Sequence, residues 1–394
     1  LTFGVTPELY TRVRQMGAAA FVAEQLAPER IDDRAAEDRV RVFEPVLNEN
    51  AGVLLKQYES MLQTITMSLL GAGLARALHS QRQLYERMVA FFSNHFHVYI
   101  EAGQVYALKV DDDRDVIRPY AMGTFRQLLG ASAHSPAMLT YLDNAASTKH
   151  QPNENYAREL MELHTLGVDG GYTETDVKEV ARCFTGWSML RTRERVDDRI
   201  AFVFRENQHD QDEKTVLGVH IPANGGEQDG ERVLDVLANH PSTARFISRK
   251  LARRFVSDDP PDALVERLAA SFTHSGGDIR AVLRDLFAAD EFWNAPPKFK
   301  QPYEYVISAF RALNVEMSSD ERFTRRVRQI LAGMGNIPFS APAPNGYPDV
   351  QGAWMGSLLN RWNFALALVN RRIPEGKPNF EPILALMEAE GVAP

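Results

Sequence analysis

The chain has 394 residues, of which 44% are hydrophobic and 24% charged, and these fractions exclude disordered, collagen-like and coiled-coil proteins. The 52 acidic side chains outnumber the 44 basic ones, so the net charge of −8 argues against a general binder of nucleic acid or acidic membranes. No apolar run approaches the roughly 20 residues that a membrane-spanning helix needs. The single cysteine, Cys183, leaves neither an intrachain disulfide nor a Cys-x-x-Cys zinc site.

Helical patterns dominate the N-terminal part. Thr6-Pro7 predicts a helix start, because threonine caps a helix and proline suits its first position. Apolar residues at spacings of three and four predict a helix from about Val53 to His79, including Tyr58, and a second from about Arg82 to Ile100. We expect the apolar faces of these two helices to pack together.

The next part combines short helices with polar loops. A helix is predicted from about Glu154 to Leu166, and Gly167 ends it. Thr173 and Asp176 have the spacing of a capping box and open a helix that reaches about Phe184.

Two β-rich runs interrupt the helical pattern, Ile200–Phe204 and Thr215–His220, with the polar segment Arg205–Lys214 between them. They predict one β-hairpin, near residues 200–220, inserted in a mostly α, multi-helix globular body. Helices are predicted again from Glu231 onward. We expect a single large helical domain over residues 1–394; the alternative is a motif-bearing part, residues 1–225, and a C-terminal helical part, residues 226–394.

The densest cluster of functional groups lies on the helix that begins at Glu154. Glu154, Arg158 and Glu162 form one ridge at a spacing of four residues, and Asn155 and Glu159 belong to the adjacent ridge. A structural interpretation needs no chemistry, because a solvated amphipathic helix with surface ion pairs gives the same pattern. Spacing alone leaves both interpretations open.

The same segment carries a family resemblance. The string Asn153-Glu-Asn-Tyr-Ala-Arg-Glu-Leu-Met-Glu-Leu-His-Thr-Leu-Gly167 resembles the hallmark of the bacterial "domain of unknown function 1800" family. Further matching strings are Leu1-Thr-Phe-Gly4, Asn94-His-Phe96, Tyr141-Leu-Asp-Asn144, Gly170-Gly-Tyr-Thr173, Thr185-Gly-Trp187, His209-Asp210 with Lys214, Leu217-Gly218 and Pro344-Asn-Gly-Tyr-Pro-Asp349. The resemblance covers nearly the whole chain.

The resemblance implies location more than chemistry. Such proteins usually carry an export signal and often occur beside a sulfatase-like exported partner, so we expect a periplasmic or secreted protein. Their activity is not settled. Clustered carboxylates and amides on a helical scaffold suit sugar chemistry, so we expect an exported enzyme that acts on a polysaccharide or oligosaccharide.

Glu154 and Glu159 are the expected acid and base of that enzyme, and Asn153 and Asn155 are their hydrogen-bonding neighbours. On a straight helix these two carboxylates diverge by about 140°, so groups from elsewhere must complete the site. Expected partners are His95 and Asp210 as catalytic groups, and Arg158, Trp187, His209 and Lys214 as substrate-binding groups. The loop that carries Asp210 is expected close to the Glu154 helix.

Each partner also has a structural interpretation. His95 lies on an apolar helix face, where a hydrogen-bonded core histidine is common, and Trp187 fits a core aromatic. An Asp210–Lys214 ion pair fits a solvated turn. Basic residues form a stripe at Arg245, Arg249, Lys250, Arg253 and Arg254, which fits solvated or ion-paired charges or a track for an anionic polymer.

Two other functions remain open. A metal-dependent enzyme would use His95, Glu162 and His164, although we expect no metal or other cofactor. His95 and His97 fall on divergent helix faces, with His97 exposed, and neither has a ligand at metal-binding spacing. The third function is a noncatalytic binding or assembly protein that works with the exported sulfatase-like partner.

Overall fold

A computed structural model describes residues 1–57, 62–194, 196–317, 321–373 and 375–392. Helices make up 63% and strands 4% of the structure, which confirms the mostly α fold class. Among the described helices, none has both the length and the apolar character that crossing a membrane requires.

The N-terminal helices follow the predicted pattern. Their bounds are α1 (Pro7–Met16), α2 (Ala18–Gln25), α3 (Arg34–Val40), α4 (Glu44–Leu47), α5 (Ala51–Gln57), α6 (Leu62–His79), α7 (Gln83–His95), α8 (Val105–Asp111) and α9 (Arg118–Tyr120). Thr6 caps α1 as predicted, since its side chain accepts a hydrogen bond from the backbone of Leu9. The long helix predicted from Val53 appears as α5 and α6, and residues 58–61, with Tyr58, lie outside the described part.

Helix α7 ends five residues earlier than predicted. Phe96 leaves the helical conformation with φ −93° and ψ 54°. The following His97 is only 2% exposed, and its Nε2 lies 2.7 Å from the backbone carbonyl oxygen of Ala341. The expectation that His97 is exposed is therefore wrong, because a distant segment of the chain covers it.

The central helices carry the longest family string. They are α10 (Phe125–Ala133), α11 (Pro136–Tyr141), α12 (Glu154–Glu159) and α13 (Glu174–Cys183). Helix α12 continues as a π-helix, Leu160–Thr165, and Gly167 follows with a left-handed φ of 84°. The capping box of Thr173 and Asp176 at the start of α13 is confirmed.

The strands are β1 (Trp187–Met189), β2 (Phe202–Phe204), β3 (Lys214–Val216) and β4 (Val219–Ile221). Strand β1 pairs antiparallel with β2, and β3 with β4, so the two predicted runs form separate hairpins instead of pairing with each other. Leu217 and Gly218 explain the difference. Both have positive φ, 50° and 77°, as a two-residue hairpin turn requires, so the second run folds back on itself.

The C-terminal helices complete the body. They are α14 (Gln228–Ala238), α15 (Pro241–Phe255), α16 (Asp262–His274), α17 (Ile279–Ala288), α18 (Asp290–Trp293), α19 (Pro302–Ala312), α20 (Glu321–Gly333), α21 (Leu358–Val369) and α22 (Glu381–Ala389). One buried apolar cluster extends from Leu26 to Phe287 and includes residues on both sides of position 225. A second joins α6 to α19, α20 and α21. The division at residue 225 stays a prediction.

Candidate functional site

The predicted acid–base helix presents its carboxylates to solvent. Glu154 and Asn155 are exposed, and Glu159 is half-buried. Asn153 has a structural role, because its side chain caps α12 by accepting a 2.9 Å hydrogen bond from the backbone of Tyr156. Neither carboxylate, Glu154 or Glu159, lines either of the two depressions described below.

Arg158 does not join the predicted ridge of charges on its own helix. Its guanidinium makes two hydrogen bonds to the Glu174 carboxylate on α13, at 2.8 and 2.7 Å. This pair fastens α12 to α13 at the surface. Spacing along α12 cannot predict this partner, because Glu174 lies on a different helix.

The predicted loop residues form a closed cluster in the interior. His209, Lys214 and Asp229 have no exposed side-chain surface. The Asp229 Oδ2 lies 2.8 Å from Lys214 Nζ and 3.2 Å from His209 Nε2. We call these three residues the closed cluster. They offer no surface to a substrate in this conformation, and the substrate-binding role expected for His209 and Lys214 stays a prediction.

Asp210 and Trp187 also have structural partners. The Asp210 carboxylate pairs with Arg182 of α13 at 2.8 Å, whereas the ammonium of Lys214 donates to the backbone carbonyl of Asp210. Trp187 is fully buried against Phe184 and Phe202, so no face remains for a sugar to stack on. The loop itself does approach the start of α12, because the backbone N–H of Lys149 donates to the carbonyl of Gln208 at 2.7 Å.

A cavity of about 270 Å³ lies between α6, α7, α15, α19 and residues 334–349. Its lining includes Asn94, His95, Lys250, Arg253, Tyr347 and Asp349. A second depression, of about 410 Å³, lies beside the hairpins, but Arg191 is the only ionisable residue in its lining. Concave shape together with convergent polar and ionisable groups makes the first cavity the candidate site.

Two family strings meet at this cavity across 253 positions of the chain. The side chain of Asn94 donates to the Tyr347 carbonyl at 2.9 Å and accepts from the Tyr347 N–H at 2.8 Å. Gly346 makes this approach possible. It has a φ of 66°, and a Cβ there would lie 2.4 Å from the backbone oxygen of Asn94.

His95 and Lys250 form a pair at the cavity wall, which we call the open pair. Lys250 Nζ lies 2.8 Å from His95 Nδ1, and His95 Nε2 lies 3.0 Å from the carbonyl oxygen of His164. A carbonyl only accepts, so Nε2 carries the proton and Nδ1 accepts from lysine. His95 is thus a core histidine and a site residue at once.

The surroundings of the open pair disfavour positive charge. Burial, followed by the nearby charge of Lys250, holds the pKa of His95 well below its usual range. Burial lowers the pKa of Lys250 from 10.5 to about 8. His164 is buried as well, with its Nε2 lacking a hydrogen-bond partner in the described structure, and burial lowers its pKa to about 3. Lysine is therefore the group that exchanges a proton near neutral pH.

Most other charges at the cavity are neutralised within the protein. Glu304 bridges Arg87 at 2.8 Å and Arg254 at 2.7 Å. Burial opposes the charge of Glu304, but the two guanidinium groups outweigh it and lower its pKa to about 2. Glu304 is thus a permanent carboxylate that holds the wall together rather than a proton donor.

A row of half-exposed tyrosines and carboxylates leads from the cavity to α12, and we call it the tyrosine–carboxylate strip. It consists of Tyr347, Tyr99, Tyr141, Glu159, Glu162 and Tyr172. Burial and then the charges of Glu159 and Tyr99 raise the pKa of Tyr141. Burial and then the charge of Glu162 raise the pKa of Glu159. Tyr172 donates to Glu162 at 3.3 Å, so neighbours interact along the strip.

Two π-helices lie beside the candidate site, and sequence periodicity gave no indication of either. Residues 112–117 form one, which supplies Asp113 to the cavity lining, and residues 160–165 form the other, which carries His164. Single π-helical turns are frequent at functional sites. An α-helical repeat assumed for residues 154–166 misplaces every side chain after Glu159 by part of a turn.

Sequence reasoning found His95 but assigned no site role to Lys250, Arg253 or Tyr347. Tyr347 lies in the family string that begins at Pro344. Lys250 and Arg253 lie in the basic stripe, whose pattern fits solvated or ion-paired charges or a track for an anionic polymer. The metal alternative gains no cluster, because the described residues contain no group of three His, Cys, Asp or Glu that could hold an ion. His95 and His164 are neighbours, with ring centroids 6.1 Å apart.

Comparison with curated proteins and with solved structures gave no match. A family model does match, over residues 1–391, and its description is "Protein of unknown function (DUF1800)". The strings that build the cavity and the hairpins are those that carried the resemblance. The chain therefore belongs to the DUF1800 family, whose name assigns no activity.

Proposed function

We propose that this protein is an exported enzyme that acts on a polysaccharide, and that its reaction takes place at the cavity. The observation that carries the proposal is the open pair, in which Lys250 Nζ lies 2.8 Å from His95 Nδ1 on the cavity wall. Strongly perturbed titratable groups in a concave site are characteristic of catalysis. Export rests on the family resemblance alone.

Lys250 is the proposed catalytic residue, acting as a proton acceptor. Its pKa of about 8 leaves a useful fraction of neutral amine at neutral pH, and general bases work best when their pKa lies near the working pH. His95 is a positioning residue. Its protonated Nε2 is fixed by the carbonyl of His164, and its Nδ1 accepts from Nζ, which directs the amine lone pair away from histidine.

The tyrosine–carboxylate strip supports a polymeric sugar as the substrate. Aromatic faces pack against the C–H faces of sugar rings, and carboxylates accept hydrogen bonds from hydroxyl groups. Glu159, whose pKa burial raises, lies on this strip and not in the cavity. We therefore assign Glu159 to substrate binding in place of the acid–base role expected from the sequence.

The test is release of reducing ends from a panel of purified polysaccharides. We expect Lys250→Met to lower kcat at least about 100-fold, the usual contribution of a general base, with no loss in Tm. Lys178→Met removes an exposed lysine from α13 and should leave the rate unchanged. No cleavage by the wild-type protein, or full activity in Lys250→Met, would overturn the proposal.

The pH profile tests the direction of proton transfer. If the neutral amine of Lys250 is the base, kcat/KM rises with pH and levels off above about 8. His95→Gln should shift that midpoint, because the neighbour of Nζ changes while the lysine remains. A profile that falls through the same pH would contradict the assignment of Lys250 as base.

A second candidate function is binding without catalysis to an exported partner, and one surface favours it. Helix α21 and the turn before it expose five apolar side chains at alternating spacings of four and three residues: Met355, Leu359, Trp362, Leu366 and Val369. Leu359 is 71% and Trp362 is 69% exposed. This spacing is typical of a helix that pairs with another helix.

We propose that an amphipathic helix of the partner covers that surface. The five exposed side chains are apolar, so the partner helix would pack its own apolar face against them. The test is calorimetric titration with a purified exported sulfatase-like protein of the kind that the family resemblance implies. Trp362→Glu should abolish binding, whereas Val168→Glu, at an exposed valine outside α21, should leave binding intact. Equal binding by both variants, or self-association of the wild type through α21, would contradict this candidate.

A further inference from the structure

We infer that the cavity recognises an anionic group on the sugar, a carboxylate or a sulfate ester, through Arg253 beside Lys250. This inference names the class of polysaccharide, and it rests on the proposed function for the statement that the ligand is a sugar. The anionic group itself is argued from the charges at the cavity.

The cations that line the cavity differ in whether a carboxylate of the protein is paired with them. Arg254 is paired with Glu304, Arg118 with Glu86 at 3.1 Å, and Arg87 with Glu304. Lys250 and Arg253, in contrast, have no carboxylate oxygen within ion-pair distance in the described ranges. The permanent positive charge of Arg253, beside the amine of Lys250, is therefore left for a ligand to neutralise.

Lys250 and Arg253 are positioned so that one ligand can contact both side chains. They lie three residues apart on α15, so they are neighbours on one face of the helix. Arg253 Nε donates to the backbone carbonyl of Asp258 at 2.9 Å, which fixes the plane of the guanidinium. Its Nη1 and Nη2 make no hydrogen bond to the described residues, and this pair of donors matches two oxygens of one anion.

The charges of the two cations also repel each other at the cavity wall. Asp349 favours the charge of Lys250, but it is already ion-paired with Lys298 and with Arg254, at 3.3 and 3.5 Å. An anion bound between Arg253 and Lys250 would remove this repulsion. Half-buried charges interact more strongly than charges in water, so we expect a single anionic group to increase the affinity for the sugar.

The test is calorimetric titration of the full chain with three oligosaccharides of equal length: a galacturonan, a sulfated galactan and a neutral galactan. We expect at least one anionic oligosaccharide to bind about tenfold or more tightly than the neutral one, with an affinity that falls as salt is added. The tighter of the two anionic ligands identifies the group.

Variants assign the effect to Arg253. Arg253→Gln should lower the affinity for the anionic oligosaccharide about tenfold and leave the neutral one unchanged. The control is Arg249→Gln, which removes the same charge one turn earlier on α15 from an arginine already paired with Asp262. It should change neither affinity.

The outcomes separate the inference from the function on which it rests. Equal affinities for neutral and anionic ligands, or no difference between Arg253→Gln and Arg249→Gln, overturn the anion site and leave a polysaccharide enzyme intact. Anion-dependent binding without cleavage supports the anion site and overturns the catalytic function. If no oligosaccharide binds, both are wrong.

Discussion

Two clusters of this protein pair a histidine with a lysine, and they differ in what completes them. In the closed cluster, Asp229 lies within 3.2 Å of both His209 and Lys214, and no side-chain surface is exposed. In the open pair, His95 and Lys250 line a cavity, and no carboxylate of the described chain reaches ion-pair distance of the lysine.

The same residue types take different roles in the two clusters because their surroundings differ. A buried charge that is paired and hydrogen-bonded holds a fold together, because removing one partner leaves the other charge without compensation. A lysine that is desolvated but unpaired has a lowered pKa and is available to a ligand. The family strings include His95 of the open pair as well as His209 and Lys214 of the closed cluster, so motif membership alone does not separate the two.

The largest expected effect breaks the closed cluster. Lys214→Met leaves the Asp229 carboxylate buried beside His209 alone, and it also removes the hydrogen bond from Nζ to the carbonyl of Asp210. We expect the free energy of unfolding to fall by about 3–5 kcal/mol, measured by denaturant titration.

The matched change in the open pair is Lys250→Met. It should not lower the free energy of unfolding, because no buried carboxylate loses its partner. Equal destabilisation by the two substitutions would erase the distinction between the clusters.

The next effect concerns the wall of the cavity. Gly346→Ala forces a side chain into a left-handed backbone position and against the backbone oxygen of Asn94. Gly335→Ala is the control, with a φ of 74° and no atom within 4 Å of the added Cβ. We expect Gly346→Ala to cost about 1–3 kcal/mol more than the control in thermal or denaturant unfolding, through overpacking. Equal costs would show that the approach of Asn94 to residue 346 is loose.

A further effect is the pH dependence that Lys250 contributes to stability. Burial lowers its pKa from 10.5 to about 8 on folding, so between these pH values the unfolded chain binds more protons than the folded one. Stability from this group therefore rises with pH across that window, and its cost is complete below about pH 8. The free energy of unfolding of Lys250→Met should exceed that of the wild type at pH 7, and the difference should shrink toward pH 10. A pH-independent difference would contradict a desolvated lysine.

The smallest expected effect is on the tyrosine–carboxylate strip. Tyr141→Ser removes an aromatic face between the cavity and Glu159, so affinity for long oligosaccharides should fall by a factor of about 3 to 10. Binding of a disaccharide that fits within the cavity should not change, and Tyr10→Ser on α1 should change neither affinity. The measurement is titration calorimetry with oligosaccharides of increasing length. A loss that is independent of length would place Tyr141 outside the path of the polymer.

The sequence by itself determined much of the local structure. Side-chain periodicity and capping residues predicted the helical body, the start of α1 at Thr6 and the capping box of Thr173 and Asp176. The family strings led to membership in DUF1800 over residues 1–391. These features depend on residues a few positions apart, so a linear pattern contains them.

The tertiary structure alone decided which polar residues are partners. Asn94 meets Tyr347, and His95 meets Lys250 from 155 positions away, while Lys214 turns inward to Asp229. Helical periodicity tells which face a side chain lies on, but not which distant segment covers that face. Burial and pairing set both the charge and the accessibility of a group, and both arise from contacts between segments far apart in the chain.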